Sequence, residues 1–263
     1  VGDVLILCYH AVSQQWDSAL SVTPRALESQ MEFLVSKGYR GVTFTDAALN
    51  DHPGKVVSVT FDDAYDSIGV LARPILDRFG IPGTIYAPTR YIGTGRPMSW
   101  PGIEEYMGSA DEQELMPMSW ESLRATAEAG WEIGSHTVSH PKLTTLGDAE
   151  LREELVQSRE ECTSKIGTPC RSIAFPYGDC DERVIEASRE AGYSAAAMIP
   201  WRLEQSGRFV WSRTGVFHDD SDRVFRLKVS PAVRRLRASR LTSRLAPLVY
   251  LIRRGRARPE PGP

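Results

Sequence analysis

The 263-residue chain has little of what would mark it as anything but an ordinary globular protein. Its four cysteines, at 8, 162, 170 and 180, make no Cys-x-x-Cys pair and no zinc-finger spacing, which argues against a disulfide scaffold or a small cysteine-built metal module. Reduced, partly buried thiols are expected, and a Cys170–Cys180 bridge is not indicated. No uncharged apolar run approaches the roughly 18 residues needed to cross a bilayer, so no spanning segment is expected. Glycine (21) and proline (17) provide turns but nowhere gather into a linker or a low-complexity tract. The opening VGDVLILCYH lacks a basic segment, a long apolar core and a small-residue cleavage site. The expected location is cytoplasmic or peripheral to a membrane, with export left open.

Acidic side chains are almost missing from the end of the chain. Residues 1–222 carry 19 basic and 33 acidic groups, a balance of −14, whereas residues 223–263 carry 12 basic groups and one acid, Glu260, a balance of +11. The overall charge of −3 is a cancellation. The sequence thus divides into an acidic body, 1–222, and a basic, Arg-rich tail, 223–263. In the tail, Leu236, Leu241, Leu245, Leu248, Val249, Leu251 and Ile252 alternate with arginine in a loosely amphipathic, helix-like pattern. Docking on the acidic body, lying on an anionic membrane surface and binding nucleic acid all compete. No nucleic-acid motif accompanies the pattern, so the reading favours a peripheral membrane or protein contact and no specific nucleic acid.

Strand-like runs recur along the body: Val4–Tyr9, Val42–Phe44, Val56–Phe61, Thr84–Ala87, Trp131–Ser135, Ser172–Phe175, Ser194–Met198 and Phe209–Val216. Most are short and apolar, as strands buried on both faces should be. Helical patterns lie between them: one opened by Pro24, one over about 66–80, one from Ser119 to Gly130, one capped by Asp148 and one started by Asp181. Alternation of this kind predicts a parallel sheet, open or closed into a barrel, with working residues on loops at the carboxyl ends of its strands.

Three such strand ends stand out. The run KVVSVTF leads into Asp62-Asp63, two carboxylates whose mutual repulsion must be offset by a cation or by hydrogen-bond donors. The run WEIGSH leads into Ser135-His136-Thr137-Val138-Ser139-His140-Pro141, with His136 and His140 at i and i+4, a spacing that puts both imidazoles on one face of a helical turn, where they can grip one transition metal. Two imidazoles and a carboxylate, with other positions left to water, form a catalytic rather than a closed structural site. The third end, Phe175-Pro176-Tyr177-Gly178, reads either as a plain turn or as a source of an oxyanion-binding N–H from Tyr177. Residues 88–118 are too long for an ordinary connection, and their Tyr91, Trp100 and Tyr106 fit a sugar-stacking groove and inward packing equally well.

Thr60-Phe61-Asp62-Asp63, Ser135-His136 through His140-Pro141, and Phe175-Pro176-Tyr177-Gly178, in that order, resemble the motifs of the polysaccharide deacetylases of carbohydrate esterase family 4. The resemblance runs from Tyr9-His10 to the Arg213 region, about four-fifths of the chain. It implies an α/β fold, a distorted (β/α) barrel of about seven parallel strands, and metal-dependent removal of acetyl groups from the N-acetylated sugars of a poly- or oligosaccharide. Carried over by position, Asp62 resembles the general base, and Asp63, His136 and His140 resemble the ligands of a divalent metal, with zinc the default for that donor set. His10 is favoured over His218 as the proton donor, because members similar to poly-N-acetylglucosamine deacetylases also begin with a Tyr-His pair. Many members place an arginine where this chain has Ala174, and Arg213 is the substitute expected to orient Asp62. The alternatives are a hydrolase of other non-peptide carbon–nitrogen bonds and a non-catalytic carbohydrate-binding relative.

Overall fold

The computed structural model describes residues 2–199 and 209–238. Its framework is a sheet of parallel strands: β1 (Asp3–Tyr9), β2 (Lys55–Phe61), β3 (Gly83–Ala87), β4 (Glu132–Ser135), β5 (Ser172–Ala174), β6 (Ala195–Met198), β7 (Val210–Ser212) and β8 (Thr214–Gly215). They lie in the order β7-β6-β5-β4-β3-β2-β1-β8, and every neighbouring pair is parallel.

The two outer members of that order, β7 and β8, are separated in sequence by Arg213 alone. One extended run therefore pairs first with β6, through Ser212 opposite Met198, and then with β1, through Thr214 opposite Leu7. The Arg213 N–H continues the first ladder by donating to the Met198 carbonyl at 2.9 Å. Counting that run once, the barrel path has seven strands among the described residues, with the short Arg40–Gly41 strand pairing β2 off that path, and its seam lies at Arg213.

Strand alternation sorts side chains to the two sides of this wall. On β1, Leu5, Leu7 and Tyr9 join the large core under the helices, together with Val57, Val59 and Phe61 of β2. Val4 and Ile6 belong instead to an interior cluster with Tyr86, Ala174, Ala195, Ala197 and Trp211. Cys8, His10, Thr60, Asp62 and Arg213 share the parity of the interior set. Alanines at 174, 195 and 197 keep the interior roomy on one side, where the Arg213 guanidinium lies over the Tyr86 ring at 5.4 Å. Gly134 is needed beneath that ring, since a Cβ there would stand 2.6 Å from it.

The helices are α1 (Pro24–Ser36), α2 (Phe44–Leu49), α3 (Arg73–Arg78), α4 (Trp120–Glu128), α5 (Asp148–Ile166), α6 (Glu182–Glu190), α7 (Asp222–Val229) and α8 (Pro231–Ala238). Helix α1 starts as its sequence dictates: the Thr23 hydroxyl accepts from the Ala26 N–H, Pro24 needs no donor, and Leu27, Met31 and Leu34 form the buried stripe. Among the described residues no helix is long and apolar enough to cross a membrane, and all four cysteines are free, three of them buried.

Two local expectations fail and a third is modified. Val42–Phe44 is not a strand: pairing stops at Arg40–Gly41, and the Thr43 side chain caps α2 by accepting from the Asp46 N–H. The helical pattern over 66–80 does form, over 66–78, with a wide π-type turn at Ile68–Ala72 leading directly into α3. Helix α5 is capped by Gly147 rather than Asp148, because the Glu150 carboxylate reaches back to the Gly147 N–H at 3.1 Å.

The charge boundary drawn between 222 and 223 falls inside α7. Phe225 and Val229 of that helix are buried in the main core, and the Phe225 ring meets Phe33 of α1 edge-on. In α8, Arg234 pairs with Asp3 and donates to the Val4 carbonyl at 2.9 Å. The fold thus continues past the change of sign, and Lys228 and Arg234 of the tail pair with Asp220 and Asp3 of the body. Residues 239–263, with most of the tail's leucines, lie outside the described residues.

Candidate active site at the barrel rim

The three motif strands β2, β4 and β5 end on one rim, and their loops carry most of the backbone strain. Among the described residues, five other than glycine have positive φ: Asp63, Ala64, Thr137, His140 and Tyr177. All five lie on those three loops. Such conformations cost of order 1–3 kcal/mol each and persist only where surrounding contacts over-determine them.

The loops bring Asp63, His136 and His140 together. Asp63 Oδ1 lies 3.3 Å from His136 Nε2 and 3.4 Å from His140 Nε2. All three residues are buried, and their ligand atoms lie within 4.8 Å of one another. The histidines do not share a helical turn, as their spacing suggested. Residues 136–140 form an irregular loop, in which positive φ at Thr137 and His140 turns the second imidazole back toward the first. His136 Nδ1 lies 2.8 Å from the Ala174 carbonyl, a contact that fixes the ring and leaves Nε2 for the cluster. The His140 ring stacks on Trp100 at 4.2 Å and meets the Tyr177 ring edge-on at 4.7 Å. Burial opposes ionisation of Asp63, but hydrogen bonding to the two imidazoles overrides it and holds the carboxyl well below its usual range. Burial keeps the His140 pKa down, whereas for His136 burial is outweighed by the bond to Asp63, the charges of Asp62 and Asp63 and the Ala174 carbonyl together, which raise it. An anion facing two imidazole nitrogens, closed off from solvent, is a donor set that fits a divalent cation.

Asp62, one residue away, sits in a different environment. Arg213 grips it with two parallel hydrogen bonds, Nη1 to Oδ1 at 2.6 Å and Nη2 to Oδ2 at 2.8 Å, and Nη1 also donates to Thr60 Oγ1 at 2.9 Å. Arg213 is 1 % exposed and Asp62 2 %. Burial would raise the Asp62 pKa, but the guanidinium, aided by His136 and His10, lowers it to about 2. The Cys8 thiol donates to Asp62 Oδ2 at 3.4 Å, and Cys8, His10 and Asp62 form a second group whose polar atoms lie within 4.8 Å of one another.

Of the other residues singled out in the sequence, Tyr177 lies at the rim with its hydroxyl donating to the Pro101 carbonyl at 3.2 Å. Its own N–H takes no part in the hydrogen bonds of its turn, which run from Gly178 to Phe175 and from Asp179 to Pro176. His218 joins neither cluster; its ring contacts Ser21 Oγ at 3.3 Å and Asp17 at 3.4 Å. In residues 88–118, Tyr106 packs on Trp16, Tyr91 packs on Trp100, and Trp100 walls the Asp63-His136-His140 cluster by stacking on His140. Sequence reasoning missed Cys8 and Thr60 as partners of the Asp62–Arg213 pair. Both share the inward parity of His10 and Asp62, and that signal was available.

The closed parallel barrel thus carries, on one rim, a buried Asp-His-His cluster whose donors fit a divalent cation and, beside it, a carboxylate held by arginine. A sequence profile of the polysaccharide deacetylases matches residues 49–196, more than half of the chain, and the chain belongs to that family. It is 26 % identical over 193 residues to the putative polysaccharide deacetylase YxkH of Bacillus subtilis, covering 72 % of this chain and 61 % of that protein. It is 25 % identical over 185 residues to the poly-beta-1,6-N-acetyl-D-glucosamine N-deacetylase of Staphylococcus aureus, covering 65 % of this chain and 59 % of the other. The chain thus spans about three-fifths of the length of these relatives. In fold it is similar to the Streptococcus pyogenes deacetylase PplD, with a TM-score of 0.71 at 21 % identity over 87 % of this chain and 98 % of that one. It is also similar to IcaB from Ammonifex degensii, with a TM-score of 0.68 at 22 % identity over 90 % and 97 %.

Proposed function

We propose that the protein is a metal-dependent carbohydrate deacetylase, removing acetyl groups from N-acetylated sugars of a poly- or oligosaccharide. The observation that carries this reading is the division of labour between two adjacent buried carboxylates. Asp62 is fully engaged by Arg213, whereas Asp63 faces two imidazole nitrogens.

Asp63, His136 and His140 would hold the ion, with zinc the metal that two nitrogens and one carboxylate most commonly take. Such an ion supplies Lewis acidity toward the acetyl carbonyl and makes the attacking water more acidic. Asp62, ionised throughout the neutral range and fixed by Arg213, accepts that water's proton. The Tyr177 N–H is the donor assigned to the oxyanion of the tetrahedral intermediate, a contribution typically of about 10²–10³ in rate. His10, grouped with Asp62, gives the proton that the departing amine requires; His218, bonded to Ser21 and Asp17, does not. Arg213 fills the place left by Ala174, whose carbonyl meets His136 instead. Retention of this complete set favours an enzyme over a non-catalytic carbohydrate-binding relative. For the tail, the proposal is a peripheral contact with an anionic membrane surface or an acidic partner, supported by Arg223, Val224, Arg226 and Leu227 of α7, where Val224 and Leu227 are exposed.

The test is acetate release from a panel of acetylated glycans by metal-reconstituted protein, beside Asp62→Asn and His136→Ala. The wild type is expected to release acetate from at least one N-acetylglucosamine-containing glycan, and each substitution to lower the rate by about 10²–10⁴. Activity indifferent to both substitutions would overturn the mechanism.

A further inference from the structure

We infer that Glu154, on α5, is a positioning residue for the metal-binding loop: its carboxylate fixes the backbone between His136 and His140 and thereby sets the affinity of the site. The inference rests on the reading of Asp63, His136 and His140 as metal ligands.

The loop needs such a restraint. Thr137 and His140 both have positive φ, 67° and 61°, and neither is glycine. Without external contacts the segment would relax toward ordinary backbone, and the second imidazole would swing away from the first. Glu154 supplies three contacts at the middle of the loop. Its Oε2 accepts the Val138 N–H at 2.8 Å and the Ser139 N–H at 2.9 Å, and its Oε1 accepts the Ser139 hydroxyl at 2.5 Å. Both oxygens are used, and bonds to an ionised acceptor are roughly twice as strong as neutral ones. On the opposite edge, the Thr89 and Arg90 N–H groups donate to the Thr137 and Val138 carbonyls at 3.1 and 3.0 Å.

The same helix also reaches the other side of His136. One turn beyond Glu154, Ser158 Oγ accepts from Ser135 Oγ at 2.8 Å, and Ser135 Oγ accepts the Thr137 N–H at 3.0 Å. Residues four apart on a helix lie on one face, so Glu154 and Ser158 grip the chain before and after the first ligand. The helix that carries them is itself fixed, because Leu151, Leu155, Cys162 and Ile166 are buried along it. In the sequence Glu154 is one glutamate among many in LREELVQSREE and looks like part of a solvated face.

Outer partners of metal ligands typically contribute about 10–100-fold in affinity, and Glu154→Ala is expected to weaken binding of Co²⁺ by that amount. The assay is titration of apo-protein with Co²⁺, read by its d–d absorption, with thermal unfolding of each apo-protein as the control for folding. Glu154→Gln keeps one acceptor oxygen and is expected to fall between wild type and Glu154→Ala. Ser139→Ala removes only the hydroxyl contact and should give the smallest loss; if Glu154→Ala does not fold, these two variants decide. A folded Glu154 variant that binds Co²⁺ as tightly as the wild type, with the same absorption band, overturns the inference. Weakening that tracks loss of apo-protein stability alone overturns it as well. A wild type that binds no Co²⁺ instead overturns the metal-site reading beneath it.

Discussion

Asp62 and Asp63 leave the same strand, are almost equally buried, at 2 % and 3 % exposure, and meet opposite surroundings. On the side of β1, β2 and the seam, Asp62 has its counter-charge built in, since Arg213 bonds both of its oxygens. On the side of β4 and β5, Asp63 finds two imidazoles whose nitrogens are better suited to share a cation than to neutralise an anion. A buried carboxylate that already owns a guanidinium has little to gain from a metal, whereas one that faces two imidazole nitrogens and no permanently charged group belongs to a donor set that a cation can complete. The contrast underlies the proposed division of these neighbouring residues into base and ligand.

The largest effect should come from removing the built-in partner. Arg213→Met leaves Asp62 buried without a counter-charge, and breaking such a pair costs about 3–5 kcal/mol at neutral pH. The sign with pH follows from the shift. The folded-state pKa of Asp62 is depressed to about 2, so its stabilising contribution is present above the ordinary carboxyl pKa and is lost as pH falls through about 2. In the variant that contribution is gone and burial favours the neutral acid. Urea unfolding at pH 7 and pH 3.5 should therefore show a wide gap between wild type and variant that narrows in acid. A gap independent of pH would mean that the pair does not control the ionisation of Asp62.

A smaller effect separates the two histidines proposed for proton donation. His10→Gln should lower acetate release by about 10²-fold, the lower end for general acid catalysis, while His218→Gln should leave it within about twofold. The reverse ranking would move the acid from the Asp62 cluster to the loop around Ser21.

How much of this contrast the sequence reveals depends on the range of the contact. Strand alternation and terminal glycines make most elements legible, and the three motifs locate the site because each is contiguous. Arg213 is legible as a candidate, but its place at the seam depends on β7 and β8 being one run that pairs with β6 and then β1, a relation between distant segments. The failure at Val42–Phe44 has a local cause, since the Thr43 cap outcompetes the β-propensity of its neighbours. The helical reading of His136 and His140 fails because Glu154, Thr89 and Arg90 hold a strained loop that no i, i+4 pattern encodes. Trp100 is conspicuous in composition, yet its stacking on His140 arises only when residues 88–118 fold back across the rim.

The central claim is that one of the two carboxylates holds the ion and the other does not, and metal titration of the paired variants Asp62→Asn and Asp63→Asn tests it most directly. Asp62→Asn is predicted to bind one equivalent of Zn²⁺ within about threefold of the wild-type affinity, and Asp63→Asn to lose at least about 100-fold, the upper end of what even outer-sphere partners contribute. Equal losses in both variants, or a greater loss in Asp62→Asn, would contradict the division.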